Sequence, residues 1–206
     1  MTQRLTRKQR QEHTRSRLLE SAGRVFARRG LAQASVDEVA ADAGFTKGAV
    51  YANFGSKDEL FLEMLDARFA QRLEEMDRAL STDDPPEAQA RVAGRDFVDS
   101  LNLDPEWARL FIEAGLYASR DEGFRRKLTA HYAAMRERMA ELLRVRALAG
   151  GFDPGVPFEQ LATMVFAMAN GVAFERLVAP DTVPDDLFSS MLELFTLGAA
   201  SRQPQG

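Results

Sequence analysis

Apolar side chains recur at three- and four-residue intervals along almost the whole chain, which is the spacing of amphipathic α-helices. No internal repeat and no strand-like alternation of useful length interrupts this pattern. The pattern predicts an all-α fold of about nine helices. We expect these helices near residues 14–29, 36–43, 47–54, 57–80, 87–101, 105–118, 121–148, 157–178 and 185–200.

Capping residues set the limits of the first three helices. Gly30 is expected to end the first helix, and Ser35 with Glu38 forms a capping box that opens the second. Gly44 ends the second helix, and Thr46 caps the third after a tight turn. A short second helix, a tight turn and a short third helix are typical of a helix-turn-helix.

The first three helices also share one small apolar core. Its residues are Leu18, Ala22 and Phe26 on the first helix, Val36, Val39 and Ala40 on the second, and Val50 and Phe54 on the third. The opposite face of the third helix carries the small or polar residues Thr46, Lys47, Ala49 and Asn53. Because the third helix of such a module enters the major groove, we expect this face to meet the bases of double-stranded DNA.

Charge is distributed unevenly along the chain. The net charge is −4, yet residues 1–30 hold nine basic and two acidic side chains, whereas residues 61–206 carry a net −8. A basic N-terminal end suits DNA phosphates, although a solvated basic face without a partner is the alternative. Residues 1–13 are interpreted as a basic N-terminal arm, and the sequence leaves open whether residues 1–12 form a disordered segment that reaches the minor groove or make no contact with DNA. The arm's basic side chains are Arg4, Arg7, Lys8 and Arg10.

Composition excludes several other classes of protein. The chain contains no cysteine, so disulfides, thiolate nucleophiles and zinc or iron bound by cysteine sulfur are excluded. The basic N-terminus is not followed by an apolar run, and the longest uncharged apolar stretch, residues 160–174, is shorter than a membrane span. We therefore expect a soluble cytoplasmic protein with no cofactor, no metal and no membrane partner.

The segment from Gly44 to Leu60, GFTKGAVYANFGSKDEL, resembles the signature of the TetR (tetracycline repressor) family. The resemblance is strong over residues 14–64 and beyond them extends only to the layout of the helices. It implies a transcriptional regulator, usually a repressor, that binds a palindromic operator as a homodimer. Its DNA-binding domain is predicted at residues 14–60, and its effector-binding and dimerisation domain at residues 61–206.

The resemblance also implies which residues touch DNA. The assigned residues are Ser35, Thr46, Lys47, Gly48, Ala49, Tyr51, Asn53 and Lys57. Tyr51, Asn53 and Lys57 are expected at phosphates, and the start of the third helix at the groove. The chain has Ala52 where the family often has an aromatic residue and Asn53 where it often has histidine, which makes the operator sequence harder to predict.

The last two helices each carry two apolar stripes, one more than a subunit core requires. We expect one stripe to form a symmetric four-helix dimer interface, with two fully buried helices of a monomer as the alternative. The predicted interface residues are Phe158, Leu161, Val165, Met168 and Val172, together with Leu187, Met191 and Leu194.

The middle helices place large apolar residues and a few polar ones towards a common interior, where they form either plain core or a site for a small apolar or amphipathic effector. The predicted effector residues are Phe97, Leu101, Trp107, Phe111, Met135, Met139, Phe166 and Asn170. Effector binding would move the fourth helix and change the separation of the two recognition helices, with a coupling of about 1–3 kcal/mol.

Two other readings compete with a ligand-gated regulator. One is a DNA-binding regulator without a small effector, which a filled interior would favour. The other is an enzyme. The sequence gives little support for an enzyme, because His13 and His131 are far apart along the chain and neither begins a metal-binding motif.

Overall fold

The structure, a computed structural model, describes residues 6–200, and all the regular elements of this part of the chain are α-helices. They are α1 (Arg7–Gln33), α2 (Val36–Ala43), α3 (Lys47–Asn53), α4 (Lys57–Ala79), α5 (Pro86–Leu103), α6 (Pro105–Ala118), α7 (Glu122–Gly150), α8 (Phe158–Val178) and α9 (Leu187–Ala200). The prediction of an all-α fold with about nine helices is confirmed.

Helix α1 begins two turns earlier than its apolar residues indicate. The Thr6 hydroxyl accepts a hydrogen bond from the Gln9 backbone N–H at 3.2 Å, and the Gln9 side-chain oxygen accepts one from the Thr6 N–H at 2.9 Å. This capping box stabilises a first segment that is polar on every side and fully exposed. Residues 7–13 are therefore helical rather than disordered, and Arg4 lies outside the described residues.

The chain divides into two compact units, and neither is continuous in sequence. Unit 1 comprises the residues up to Arg68 together with Glu113–Leu128, and unit 2 comprises Phe69–Ile112 together with the residues from Thr129 onward. The boundary differs from the one predicted at residue 60 because α4, α6 and α7 each contribute residues to both units. Sequence patterns mark loops, and here the division falls inside helices.

Unit 1 contains the predicted three-helix core. Six of its side chains are at most 1% exposed, namely those of Leu18, Ala22, Phe26, Val39, Val50 and Phe54. The turn between α2 and α3 depends on Gly44, whose φ of 72° is in the left-handed region that glycine adopts without strain. The Ser35 and Glu38 capping box is present in both directions, as predicted.

The second segment of unit 1 packs against its first. The Phe61 ring contacts Phe26 edge to face at 5.0 Å between centroids and lies 6.3 Å from Phe124. Gly30 interrupts α1 with φ 77° and ψ 163°, so the chain bends there and continues to Gln33 instead of ending. The Leu31 N–H freed by this bend donates to a carboxylate oxygen of Glu113 at 3.0 Å.

Unit 2 is organised around the pairing of α5 with α9. Gly94 on α5 lies so close to α9 that a Cβ built there would be 2.6 Å from the Ser189 Cα. Beside this contact, Val98, Val172 and Phe188 form a buried cluster, and the Phe97 and Phe188 rings lie 4.8 Å apart. The absence of a side chain at position 94 therefore sets the separation of the two helices.

Helix α8 is long and apolar enough, by length and composition alone, to cross a membrane, although its uncharged stretch, residues 160–174, is shorter than a membrane span. A core helix of a soluble protein passes the same test. Here Leu161, Ala162, Val172 and Ala173 of α8 are buried inside unit 2. Their burial accounts for the apolar character of one side of the helix.

Candidate nucleic-acid interface and effector cavity

Helix α3 is anchored on one side and presents small and polar groups on the other. Thr46 caps it by accepting a hydrogen bond from the Ala49 N–H at 3.2 Å, and Val50 fixes it to the core at 1% exposure. Lys47, Gly48 and the Tyr51 ring are exposed on the opposite side. A shallow, polar surface of this kind can approach the edges of base pairs closely.

The Lys47 ammonium is paired within the module. It donates to a carboxylate oxygen of Asp37, on α2, at 2.8 Å. This hydrogen bond, with the negative charge of Asp37, raises the pKa of Lys47 above its usual value. Both side chains are more than half exposed, so the pair is open to exchange with a phosphate.

Asn53 is held more tightly than a free DNA ligand would be. Its side-chain amide donates to the Ala49 carbonyl at 2.8 Å, and its backbone carbonyl accepts a hydrogen bond from Arg15 at 2.7 Å. Its side-chain oxygen is buried and has no hydrogen-bond partner. The amide therefore caps α3, and its predicted phosphate contact stays a prediction.

Lys57 has a structural role that the sequence did not reveal. Its ammonium donates to the backbone carbonyls of Leu31, Ala32 and Ala34, at 3.0, 3.3 and 3.2 Å. These carbonyls lie at the end of α1, where a positive charge is favoured and the last oxygens lack helical partners. Its contact with phosphate also stays a prediction.

Much of the basic charge of the first thirty residues is used inside unit 1. Arg15 pairs with Glu63 and covers the Phe54 ring at 4.5 Å. Arg24 and Arg28 both bind Asp42, and the hydrogen bond from Arg24 is the main reason that the pKa of Asp42 is lowered. In the same way, hydrogen bonds from Ser35, with smaller contributions from Arg29, lower the pKa of Glu38. The +7 charge of this segment is therefore a poor measure of the charge available to DNA.

Unit 2 encloses an apolar cavity of about 170 Å³. Helices α4 to α9 all contribute to its wall. Seven of the predicted effector residues line it, namely Phe97, Leu101, Trp107, Phe111, Met139, Phe166 and Asn170. Met135, one turn before Met139 on α7, does not line the cavity, and its side chain is buried in the core.

Polar groups in this wall are few. Arg72 and Glu75, on α4, form an ion pair at 2.6 Å. Asp96 and Asn170 also line the cavity, and neither side chain is hydrogen-bonded to another described residue. The α4 residues of this wall could not be predicted from sequence, because the apolar spacing of Leu73 and Met76 is also that of a plain core helix.

Most of the residues predicted for the dimer interface pack inside their own protomer. Val165, Met168, Leu187 and Met191 pack against the cluster around Phe188, and Phe158 is half-buried beneath Arg144. The assignment is wrong for Leu161 and Val172, which are 5% and 4% exposed. Leu194 is 70% exposed and stays a candidate.

The exposed apolar side chains of the last two helices include residues outside the predicted interface set. Phe174 and Val178 of α8 are 48% and 65% exposed, and Leu197 of α9 is 46% exposed. Sequence could show that each helix has two apolar stripes. It could not show which stripe faces the core, since that depends on partners in α5 and α6.

A three-helix core that carries an exposed polar third helix after a glycine turn defines the class of helix-turn-helix DNA-binding proteins. Comparison with known proteins makes this more specific. The profile of the tetR family of bacterial regulatory proteins matches residues 18–64, and that of the BetI-type transcriptional repressor C-terminal domain matches residues 86–196. The chain belongs to the TetR family, so the resemblance seen in the sequence is confirmed.

Individual relatives agree with this assignment. The chain is 30% identical over 161 residues to the HTH-type transcriptional repressor SCO4008 of Streptomyces coelicolor, covering 77% of this chain and 78% of that protein. A TetR transcription regulator from Haloarcula marismortui has a similar fold, with a TM-score of 0.68 at 16% identity, covering 91% and 98% of the two chains. The regulator FadR of Bacillus subtilis, solved in complex with stearoyl-CoA, has a TM-score of 0.68 at 18% identity, and the match covers 89% of this chain and 98% of that one.

Proposed function

We propose that this protein is a ligand-responsive transcriptional repressor that binds a palindromic operator as a homodimer and is released by a small apolar or amphipathic effector. The observation that carries this proposal is the exposed face of α3, where Lys47, Gly48 and Tyr51 point away from a core that Val50 anchors. Membership of a family of transcriptional regulators supports it. We expect the protein to act in the cytoplasm, where it meets its operator.

A first experiment tests the DNA interface. Duplex fragments are selected from a genomic library with the purified protein, and the affinity of the selected operator is measured by fluorescence anisotropy. Lys47→Ala and Tyr51→Ala should each weaken operator binding about tenfold. Lys127→Ala is the matched control, since Lys127 is an exposed lysine on α7. Unchanged affinity in both α3 variants would refute the assigned interface.

Dimerisation follows from the size of the module. One recognition helix reads only a few base pairs, and two copies dock about 34–36 Å apart in successive major grooves. We infer that the partner covers the exposed apolar stripes of α8 and α9, at Phe174, Val178, Leu194 and Leu197. Leu194→Glu should give a folded monomer by sedimentation. Leu148→Glu, at a leucine that is 75% exposed on α7, should leave a dimer.

The cavity favours a small-molecule effector over regulation without one. Its wall combines aromatic and aliphatic side chains with a few polar groups, as ligand sites usually do. Helix α4 supplies Phe69, Leu73 and Met76 to this wall and Leu60, Met64 and Leu65 to the core of unit 1. A shift of α4 on effector binding is therefore the proposed link to DNA affinity. If no compound that fills the cavity alters operator affinity, regulation without an effector becomes the better account.

An enzyme remains the weaker alternative. Within residues 6–200 no group of three or more histidines or carboxylates is placed to hold a metal. Turnover of any compound that binds the cavity would favour this reading, and it can be followed by chromatography of the ligand after incubation.

A further inference from the structure

A second cavity, of about 110 Å³, lies in unit 2 beside the first. Its wall is formed by residues of α4, α5, α7, α8 and α9 and of the segments that flank α5 and α7. Four residues line both cavities, namely Met76, Ala93, Val165 and Leu192. The two cavities are therefore separated by a single layer of apolar side chains, which we call the partition.

The partition contains side chains that are flexible or small. Met76 is an unbranched thioether with several rotatable bonds, and Ala93 is a single methyl group, so little is needed to open a path between them. All four side chains are partly buried, and each lines both cavities. New rotamers at Met76 and Leu192 would join the two cavities without moving a helix.

The two cavities differ in the polar groups that they offer. In the second cavity, Arg146 pairs with Asp77 at 2.7 Å, and the Gln89 amide donates to two backbone carbonyls. The Thr196 hydroxyl likewise donates to the Leu192 carbonyl. In the first cavity, Asn170 and Asp96 have no such partner within the described chain. The polar side chains of the second cavity are thus engaged within the protein, whereas Asn170 and Asp96 are available to a head group in the first.

We propose that the two cavities are chambers of one site for an elongated amphipathic molecule. Its head group, a hydrogen-bond donor, lies beside Asn170 and Asp96 in the first chamber. Its unbranched hydrocarbon tail passes the partition between Met76 and Ala93 and fills the second chamber. The regulatory meaning of this site rests on the proposed function, whereas the binding geometry is independent of it.

Trp107 provides a built-in reporter, since it is the only tryptophan of the chain and lines the first chamber alone. Straight-chain primary alcohols from hexanol to dodecanol are titrated against the full-length protein, and the tryptophan fluorescence is followed. For the wild type, affinity should rise roughly fourfold with each added methylene, which corresponds to about 0.8 kcal/mol. The rise should continue for the longest alcohols.

Filling the second chamber separates this proposal from a single-cavity site. Ala147 and Ala90 line the second cavity alone, on α7 and α5. Ala147→Leu should bind hexanol like the wild type but show no further gain for the long alcohols. Ala90→Leu should do the same, and it gives a second test from another helix. Ala134→Leu, at an exposed alanine of α7, is the matched control and should follow the wild type.

The outcomes are distinct from those that test the regulatory function. If both filled variants follow the wild-type series, or if a compact branched alcohol binds as tightly as its linear isomer, the two-chamber site is overturned. The same holds if no alcohol binds. If the chain-length series behaves as expected while saturating dodecanol leaves operator affinity unchanged, the site stands and the ligand-responsive function fails.

Discussion

The ammonium of Lys47, the first residue of α3, donates to the carboxylate of Asp37 on α2 at 2.8 Å. Asp37 raises the pKa of Lys47, first through this hydrogen bond and then through its negative charge, so the pair stabilises the ammonium form and loses it when the pH rises through that raised value. The lysine that we propose to contact DNA is thus paired with an acidic neighbour in the free protein.

Removing the acidic partner should strengthen DNA binding. Asp37→Asn is expected to tighten binding roughly threefold to tenfold at low salt, because Lys47 is released and a negative charge near the phosphates is removed. The slope of the logarithm of affinity against the logarithm of salt concentration should become steeper by about one. Asp83→Asn changes the same charge in the exposed 81–84 loop and serves as the control. Weaker binding in Asp37→Asn would mean that Asp37 orients Lys47 for DNA.

Lys57→Met should destabilise unit 1 by about 1–3 kcal/mol, since three carbonyls at the end of α1 lose their donor. Urea denaturation followed by circular dichroism measures this loss. Lys127→Met, which breaks only an exposed ion pair with Asp58, should cost less than about 1 kcal/mol. If Lys57→Met keeps its stability and loses only DNA affinity, then phosphate contact is its main role.

Gly30 and Glu113 should be energetically coupled. Gly30→Ala forces a side chain into a backbone conformation that almost only glycine adopts, and it places a Cβ 2.6 Å from a Glu113 oxygen. We expect a loss of about 2 kcal/mol or more in unfolding free energy. Glu113→Ala alone removes the acceptor of the Leu31 N–H. The double variant should lose less than the sum of the two, because the clash is gone, and strict additivity would contradict the contact.

Two glycines in helices should respond to alanine in opposite directions. Gly94→Ala should cost about 1–3 kcal/mol, because the new methyl group meets the α9 backbone at Ser189. Gly115→Ala should be neutral or stabilising by up to about 1 kcal/mol, since nothing lies within 4 Å of its added Cβ. Thermal unfolding of the two variants, side by side, checks this difference. A stable Gly94→Ala protein would show that α5 and α9 can separate freely.

Tyr132 should titrate late. Burial raises the pKa of its hydroxyl from 10.0 to about 12, and its ring lies 5.0 Å from Phe111 in the cavity wall. The neutral form stabilises the fold below pH 10, and this contribution is lost as the pH rises towards about 12. The pKa of Tyr117 is also raised, by burial and by the nearby Asp58 and Asp121. Alkaline absorbance titration should therefore lose the latest step, that of Tyr132, in Tyr132→Phe, and an unchanged titration curve in this variant would assign that step to another tyrosine.

Local sequence was enough to predict the helices and their caps in the DNA-binding unit. The Ser35 and Glu38 pair and the left-handed Gly44 depend on residues three to nine positions apart, and both are present as expected. Long-range partners could not be predicted in the same way. Nothing near Gly30 indicates that Glu113 will accept the Leu31 N–H, and nothing near Lys57 indicates three carbonyls of α1.

The cavity was predicted in part for a similar reason. Trp107 and Phe111 stood out as large apolar residues beside polar ones, and both line it. Met135 and Met139 have the same spacing and chemistry, yet only Met139 faces the void. Periodicity identifies the inner side of a helix, whereas an empty volume depends on what the other helices leave unfilled.

The interleaved construction of unit 1 limits how regulators of this kind can be recombined. Residues 113–128 belong to the DNA-binding body, through Phe124 against Phe61 and Glu113 against Leu31, although they follow the first chamber's α6 residues in sequence. A hybrid that exchanges only the first 68 residues would combine the helix-turn-helix of one protein with residues 113–128 of another, although both segments belong to unit 1. During synthesis, likewise, unit 1 can complete its packing only after the ribosome has passed residue 128.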